Sequence, residues 1–178
     1  MRRPLTETER VWTVLDIVRW GTEYFEQKGI ESPRLTIELL LCDVLKVGRL
    51  QLYTDHERPL TTEERTRLRA FVRRRADHEP LQYIVGTANF YGLDMEVDRH
   101  VLIPRPETEL LVDYAIRYLR TKGDRPTSCL DIGTGSGCIP VTIAVHVPTS
   151  EWLGLDRSHD ALDVAHRNAV AHHVADRC

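Results

Sequence analysis

The sequence predicts an α/β protein: a small N-terminal helical bundle, a linking β-hairpin, and then the opening of a domain built on a parallel sheet. Three observations predict it. Residues 1–80 carry apolar side chains at helical spacing, punctuated by glycine and proline. Within residues 81–103 the pattern turns to alternation, with Leu93, Met95 and Val97 set against Asp94, Glu96 and Asp98, as in a half-exposed strand. Within residues 104–178 a short apolar run, residues 129–132, enters a loop with glycine at every second position: Gly133, Gly135 and Gly137. A helical pattern follows to about His146. Strand, glycine loop and helix in that order build a cradle for a nucleotide-like ligand.

Composition narrows the class. The 178 residues are 42% hydrophobic and 29% charged, as in a globular chain rather than a disordered one. A net charge of −3 argues against a protein that coats nucleic acid. No apolar run approaches the roughly 18 residues of a membrane span, and the first ten residues lack the apolar stretch of a signal peptide. A cytosolic, cytoplasmic location is the default expectation. Cys42, Cys129, Cys138 and Cys178 form no CxxC pair, so they are expected to be small buried thiols, with no metal site.

The first helix is expected from about Thr6 to Gln27, with Val11, Leu15, Val18 and Phe25 inward and Gly29 as its stop. Ser32 and Pro33 read as an N-cap followed by a first-turn proline. They open a second helix to about Lys46 that buries Ile37, Leu40, Leu41, Val44 and Leu45, with Gly48 ending it. Residues 50–53 lead to a turn at Pro59. Thr61 and Glu64 have the spacing of a capping box, and the helix behind them should reach Asp77 and bury Leu68, Phe71 and Val72. Its arginines, Arg65, Arg67, Arg69, Arg73, Arg74 and Arg75, suit a docking face for an acidic partner or RNA, or a solvated face balanced by nearby acids.

Residues 82–86 read as a strand ending at Gly86, paired with the alternating one after Phe90, Tyr91 and Gly92. In the segment from Leu102 to Glu109, Pro104 and Pro106 hold the chain extended, and Pro106 starts a helix with Glu107 and Glu109 at its positive end. Val112, Ala115, Ile116 and Leu119 face inward, with a stop near Gly123. Beyond the glycine loop, residues 152–155 form a second strand ending in Asp156, and Ser158 caps a helix with Ala161, Leu162, Ala165 and Ala169 on one face.

A dinucleotide fingerprint requires Gly-x-Gly-x-x-Gly. Begun at Gly133 it meets Cys138 in the third glycine's place; begun at Gly135 it meets Pro140. The spacing is instead Asp-x-Gly-x-Gly-x-Gly, from Asp131 to Gly137, with Asp156 at the next strand's end. A carboxylate there can accept both hydrogens of a ribose diol. This favours S-adenosylmethionine over a nicotinamide or flavin cofactor, held by Gly133, Thr134, Gly135, Ser136, Gly137 and Asp156. Asp131 suits a cap on the loop's own N–H groups as well as a role in ordering the ligand's methionine end.

Leu81-Gln82-Tyr83-Ile84-Val85-Gly86, Phe90-Tyr91-Gly92, Leu102 to Glu109 and Asp131 to Gly137 together resemble the HemK-type (PrmC) enzymes. These methylate the glutamine of the Gly-Gly-Gln motif in peptide chain release factors. The resemblance covers the whole chain, and its proline-rich segment is more specific than its glycine loop. It implies a Rossmann-like class I methyltransferase domain, S-adenosyl-L-methionine as cofactor and a release factor as partner, recognised by the helical bundle. It also implies that Arg105, Pro106 and Glu107 border the substrate site. The family's amide-holding Asn-Pro-Pro-Tyr motif does not occur in these residues, so the domain is expected to be truncated and inactive alone. Two further expectations stay open: a methyltransferase for the amine of a nucleic-acid base, and a non-catalytic release-factor-binding fragment.

Overall fold

The computed structural model describes residues 11–178. The chain divides into two units, one ending at Val85 and the other beginning at Gly86. Residues 81–85 thus belong with the first and the hairpin with the second.

The first unit is helical: α1 (Val14–Gln27), α2 (Pro33–Leu45), α3 (Arg49–Thr54), α4 (Thr62–Ala76) and α5 (Leu81–Val85). Thr13 caps α1 in a box closed by Asp16. The first-turn N–H groups of Val14 and Leu15 donate to the carbonyls of Arg58 and His56, each at 3.0 Å, so donors that a helix end leaves orphaned are satisfied by the returning chain. The expected start at Thr6 lies outside the described residues. Val11, expected inward, precedes the helix and is exposed. The buried stripe is Val14, Ile17, Gly21 and Phe25, displaced from the expected one, which missed Ile17 and put Leu15 inside.

α2 is the core helix, burying Ile37, Leu40, Leu41 and Val44, with α1, α3, α4 and α5 packed against it. Ser32 occupies the N-cap position in a left-handed conformation and makes no side-chain cap bond, so the expected cap is one of position only. Lys46 ends the helix and Gly48 instead opens α3. The Thr61–Glu64 capping box of α4 forms as expected. Of residues 82–86, expected as a strand, 82–85 are helical, with Tyr83 and Ile84 donating backwards to the Pro80 carbonyl, and Gly86 is a turn residue. So short an apolar run carries no period that separates helix from strand.

The second unit comprises β1 (Thr87–Phe90), β2 (Leu93–Glu96), α6 (Pro106–Arg120), β3 (Thr127–Ile132), α7 (Cys138–His146), β4 (Ser150–Leu155) and α8 (His159–Ala171). β1 and β2 form the antiparallel hairpin, with Phe90 opposite Leu93. β3 and β4 are parallel, with Asp131 opposite Gly154 and Ile132 opposite Leu155. α7 packs against α6, α8 and β4, which is why its residues are apolar all round. The core joins Phe90 and Met95 of the hairpin to Val112 and Ile116 of α6, Val141 and Ile143 of α7, and Ala169 of α8.

Residues 129–132 read from sequence as a buried strand, while a sheet of two parallel strands with few helices is expected to leave one face uncovered. Only one of its faces is covered: Leu130 is 54% and Ile132 78% exposed, beside Leu153 and Leu155 of β4. After α8 the chain returns to β4, where Trp152 donates its N–H to the Arg177 carbonyl at 2.7 Å. The four cysteines are free and half-buried rather than fully buried. Burial pushes the thiols up, that of Cys178 to about 11.

Candidate functional site

The glycine loop is fixed to the end of β4 before any ligand is considered. Gly133 and Thr134 both donate to the Leu155 carbonyl, at 2.7 and 3.0 Å, and Gly137 donates to the Thr134 carbonyl at 2.9 Å. All three loop glycines have positive φ: 82° at Gly133, 54° at Gly135 and 73° at Gly137. They differ in what surrounds them. A Cβ on Gly133 or Gly135 would meet nothing within 4 Å, whereas one on Gly137 would lie 3.0 Å from the Ala165 Cβ. Gly137 lets α8 approach, while Gly133 and Gly135 leave open backbone at the end of β3.

Asp156, one residue past β4, closes the arrangement. Its Oδ2 accepts from the Gly135 N–H and its Oδ1 from the Ser158 N–H, each at 3.0 Å. These backbone donors, Ser158 first and then Gly135, hold the carboxyl below its ordinary range. One bond per oxygen leaves acceptor capacity on both. Ser158 in turn caps α8 by accepting from Ala161.

Asp131 behaves differently. Its Oδ2 is buried and has no hydrogen-bond partner among the described residues, so it does not cap the loop's N–H groups. The hydroxyls of Thr134 and Ser136 are buried and unpartnered as well. Orphaned polar atoms at the end of a strand, beside open glycine backbone, suit a polar ligand or ordered water. The cavity behind the loop, about 140 Å³ between Thr134, Gly154, Ala165 and Cys178, is too small for a nucleoside-sized molecule.

Pro140 is the third residue of α7, inside the turn whose N–H groups have no intrahelical partner, so its missing donor costs the helix nothing. Arg105 is the N-cap residue of α6 without a side-chain cap, and Pro106 is its first residue. Arg105, Pro106 and Glu107 are exposed. Among the described residues no hydrogen bond or ion pair joins them to the glycine loop. Glu109 points back instead, accepting from the Tyr91 N–H at 2.8 Å where the hairpin turns.

Sequence reasoning missed Asn168. It is 1% exposed, and its side chain accepts from the Glu96 N–H at 2.7 Å while donating to the carbonyls of Glu96 and Ser136, each at 2.9 Å. One amide thereby ties hairpin, α8 and glycine loop together. The signal was present: Asn168 falls on the same helical face as Ala161 and Val164, where a polar residue needs a partner.

A strand, a glycine loop, a buried helix and a parallel strand whose terminal acid grips the loop define the opening βαβ unit of a Rossmann-like, nucleotide-type cofactor fold. Residues 16–86 match the PrmC N-terminal domain family. The chain is 50% identical over 173 residues to the release factor glutamine methyltransferase of Chlorobaculum tepidum, covering 95% of this chain and 58% of that protein. It is 42% identical to the enzyme of the same name from Geobacter sulfurreducens, over 94% of this chain and 58% of that one. With that of Rhodopirellula baltica it shares 41% identity, over 97% and 59%. Over nearly its whole length, then, the chain is similar to release factor glutamine methyltransferases, and it spans somewhat over half the length of these relatives. Among the described residues no helix is long and apolar enough to cross a membrane.

Proposed function

We propose that this chain supplies the cofactor cradle and the helical recognition unit of an S-adenosylmethionine-dependent methyltransferase. Its substrate is the side-chain amide of the glutamine in the Gly-Gly-Gln motif of a peptide chain release factor, and its place the cytosol, where translation ends. The observation that carries this is Asp156: a carboxylate anchored by the Gly135 and Ser158 N–H groups, with lone pairs to spare. Such an acid suits a ribose diol. At the other end of the loop, the orphaned Oδ2 of Asp131 suits the ammonium of a methionine moiety. Gly133 and Gly135 leave room for a ligand against the backbone, and Thr134, Ser136 and Gly137 complete the loop.

When bound, S-adenosylmethionine supplies an electrophilic methyl group. An amide nitrogen is a weak nucleophile because its lone pair is delocalised, so its N–H groups need acceptors that fix its line of approach. The Asn-Pro-Pro-Tyr motif that serves this purpose in the family is not among these residues. What the chain contributes is cofactor orientation, with Arg105, Pro106 and Glu107 bordering the substrate. Isothermal titration of the chain with S-adenosylmethionine tests the cradle: saturable binding, lost in Asp156→Ala, is expected. Absence of binding by a folded chain overturns it. A pull-down with purified release factor tests the partner in the same way.

A further inference from the structure

The arginines of α4 divide into two sets. Arg67 pairs with Asp43 at 3.0 Å. Arg74 pairs with Glu79 and donates to the Tyr83 carbonyl, and Arg75 donates to the Glu79 carbonyl. Those three are committed to the fold. Arg65, Arg69 and Arg73 recur every fourth residue and so share one edge of the helix. Arg65 reaches only the Thr62 hydroxyl, at 3.3 Å, and its Nε is buried without a partner. Arg69 and Arg73 make no hydrogen bond or ion pair among the described residues, and both are exposed.

Arg65 and Arg69 of this edge line an open groove of about 500 Å³, walled by Trp12, Ile17 and Trp20 on one side and Leu68 and Val72 of α4 on the other, and Arg73 lies one turn further along the helix. Trp20 is 40% exposed. It stacks on Tyr24 with ring centroids 5.4 Å apart and meets the edge of Trp12 at 6.3 Å, so the aromatic wall is held rigid from behind. Rigid tryptophan beside uncommitted arginine is the composition of a binding hot spot.

We propose that the α1–α4 groove docks an acidic polypeptide segment, its carboxylates on Arg65, Arg69 and Arg73 and an apolar side chain against Trp20, Leu68 and Val72. Guanidinium groups with no carboxylate partner among the described residues supply charge-assisted, bidentate bonds to carboxylates, and the apolar walls supply an anchor that charge alone lacks. An RNA fits less well. Nucleic acid requires a broad basic face, whereas acids nearly balance bases in residues 11–85 and the groove's floor is apolar. The inference rests on this unit's own surface and is independent of the cofactor reading.

The test uses the full chain, labelled with nitrogen-15 and titrated with a short unlabelled peptide in which Asp and Glu flank a central Leu-Phe pair. The indole N–H signals of Trp12 and Trp20 should shift saturably while that of Trp152 stays. The double variant Arg69→Gln, Arg73→Gln should bind about tenfold more weakly or worse, with a nearly unchanged thermal melt because neither side chain has a hydrogen-bond or ion-pair partner among the described residues. Leu-Phe replaced by Ser-Ser should also weaken binding. Unshifted Trp12 and Trp20 signals, equal binding by the double variant, or tighter binding of a single-stranded oligonucleotide than of the peptide each overturn the proposal.

Discussion

The carboxylate of Asp156 holds the N–H of Gly135 at 3.0 Å, bringing the end of β4 onto the middle of the glycine loop. The acid is therefore part of the loop's architecture as well as a candidate ligand acceptor. Asp156→Asn keeps one acceptor oxygen and loses the other, so either Gly135 or Ser158 gives up its partner. Faster amide hydrogen exchange at both positions and weaker S-adenosylmethionine binding are expected, read by exchange spectroscopy and calorimetry. The pH dependence has a definite sign. The folded carboxyl is depressed by its backbone donors, so its stabilisation is full above the unfolded value of about 4 and fades as pH falls through the folded one. The variant's melting temperature should accordingly fall less on acidification than that of the parent chain.

The three loop glycines should not respond alike to alanine. Each substitution forces a left-handed residue, costing about 1 kcal/mol. Gly137→Ala adds a clash with the Ala165 Cβ at 3.0 Å and its Cα at 3.2 Å, where backbone cannot yield cheaply, for a total of about 3 kcal/mol. Urea unfolding should rank Gly137→Ala well below Gly133→Ala and Gly135→Ala. For ligand binding the order should reverse per unit of stability lost, because the open positions lie where a ligand approaches.

Much of this was legible beforehand because local chemistry dictated it. Thr61 with Glu64, Pro106 with Glu107 and Ser158 before Ala161 are short-range devices that work without tertiary help, and all three sit at helix starts. The glycine loop announced itself because no other residue tolerates three alternating left-handed positions. Residues 82–85 failed through shortness, since so brief an apolar run carries no period that separates helix from strand. The other failures depended on partners distant in sequence. Gly21 joined the buried stripe of α1 because Ile37 packs onto it. Asp131, expected both to cap the loop and to face the ligand's methionine end, has its Oδ2 without a partner among the described residues, since N–H groups of the loop are taken by Leu155, Thr134 and Asp156.

Gly21 lies at the contact between α1 and α2. An added Cβ would stand 2.4 Å from the Cγ1 of Ile37. Alanine gains about 1 kcal/mol of helix propensity over glycine, yet forcing a stiff β-branched side chain aside costs about 1–3 kcal/mol, so Gly21→Ala should destabilise. In an Ile37→Ala background the same substitution should become neutral or favourable. A double-mutant cycle on chemical unfolding reads the coupling directly.

Glu38 is the buried acid of the first unit, 1% exposed, accepting from Arg34 at 2.9 Å, Arg49 at 2.7 Å and Tyr53 at 2.8 Å. Burial pushes its carboxyl up, and the donors from Tyr53, Arg34 and Arg49 outweigh that, leaving it below the ordinary value. Its contribution is therefore present at neutral pH and lost as pH falls through the folded value. Glu38→Gln keeps the shape and removes the charge. A loss of about 2 kcal/mol is expected at pH 7, shrinking towards pH 3 in unfolding measurements made across that range.

Asn168 gives the sharpest test of how the cradle is held. Its amide satisfies both backbone groups of Glu96, at a part-buried site, and the buried carbonyl of Ser136. Asn168→Ala would leave these groups without partners and open a small void, at about 1–3 kcal/mol for the unsatisfied groups. Asn168→Asp is the more telling variant. It preserves shape and the acceptor for the Glu96 N–H, but replaces the donor facing two carbonyls with a repelling oxygen. Being buried, it would be driven towards its protonated form. Both variants should speed hydrogen exchange at Glu96 and through residues 133–137, and both should weaken cofactor binding without contacting the cofactor. The Asp variant alone should recover stability as pH is lowered, since a protonated carboxyl restores one donor, and thermal melts between pH 7 and pH 4 would show it. If exchange in the loop is unaffected by either substitution, the loop is held by Leu155 and Asp156 alone.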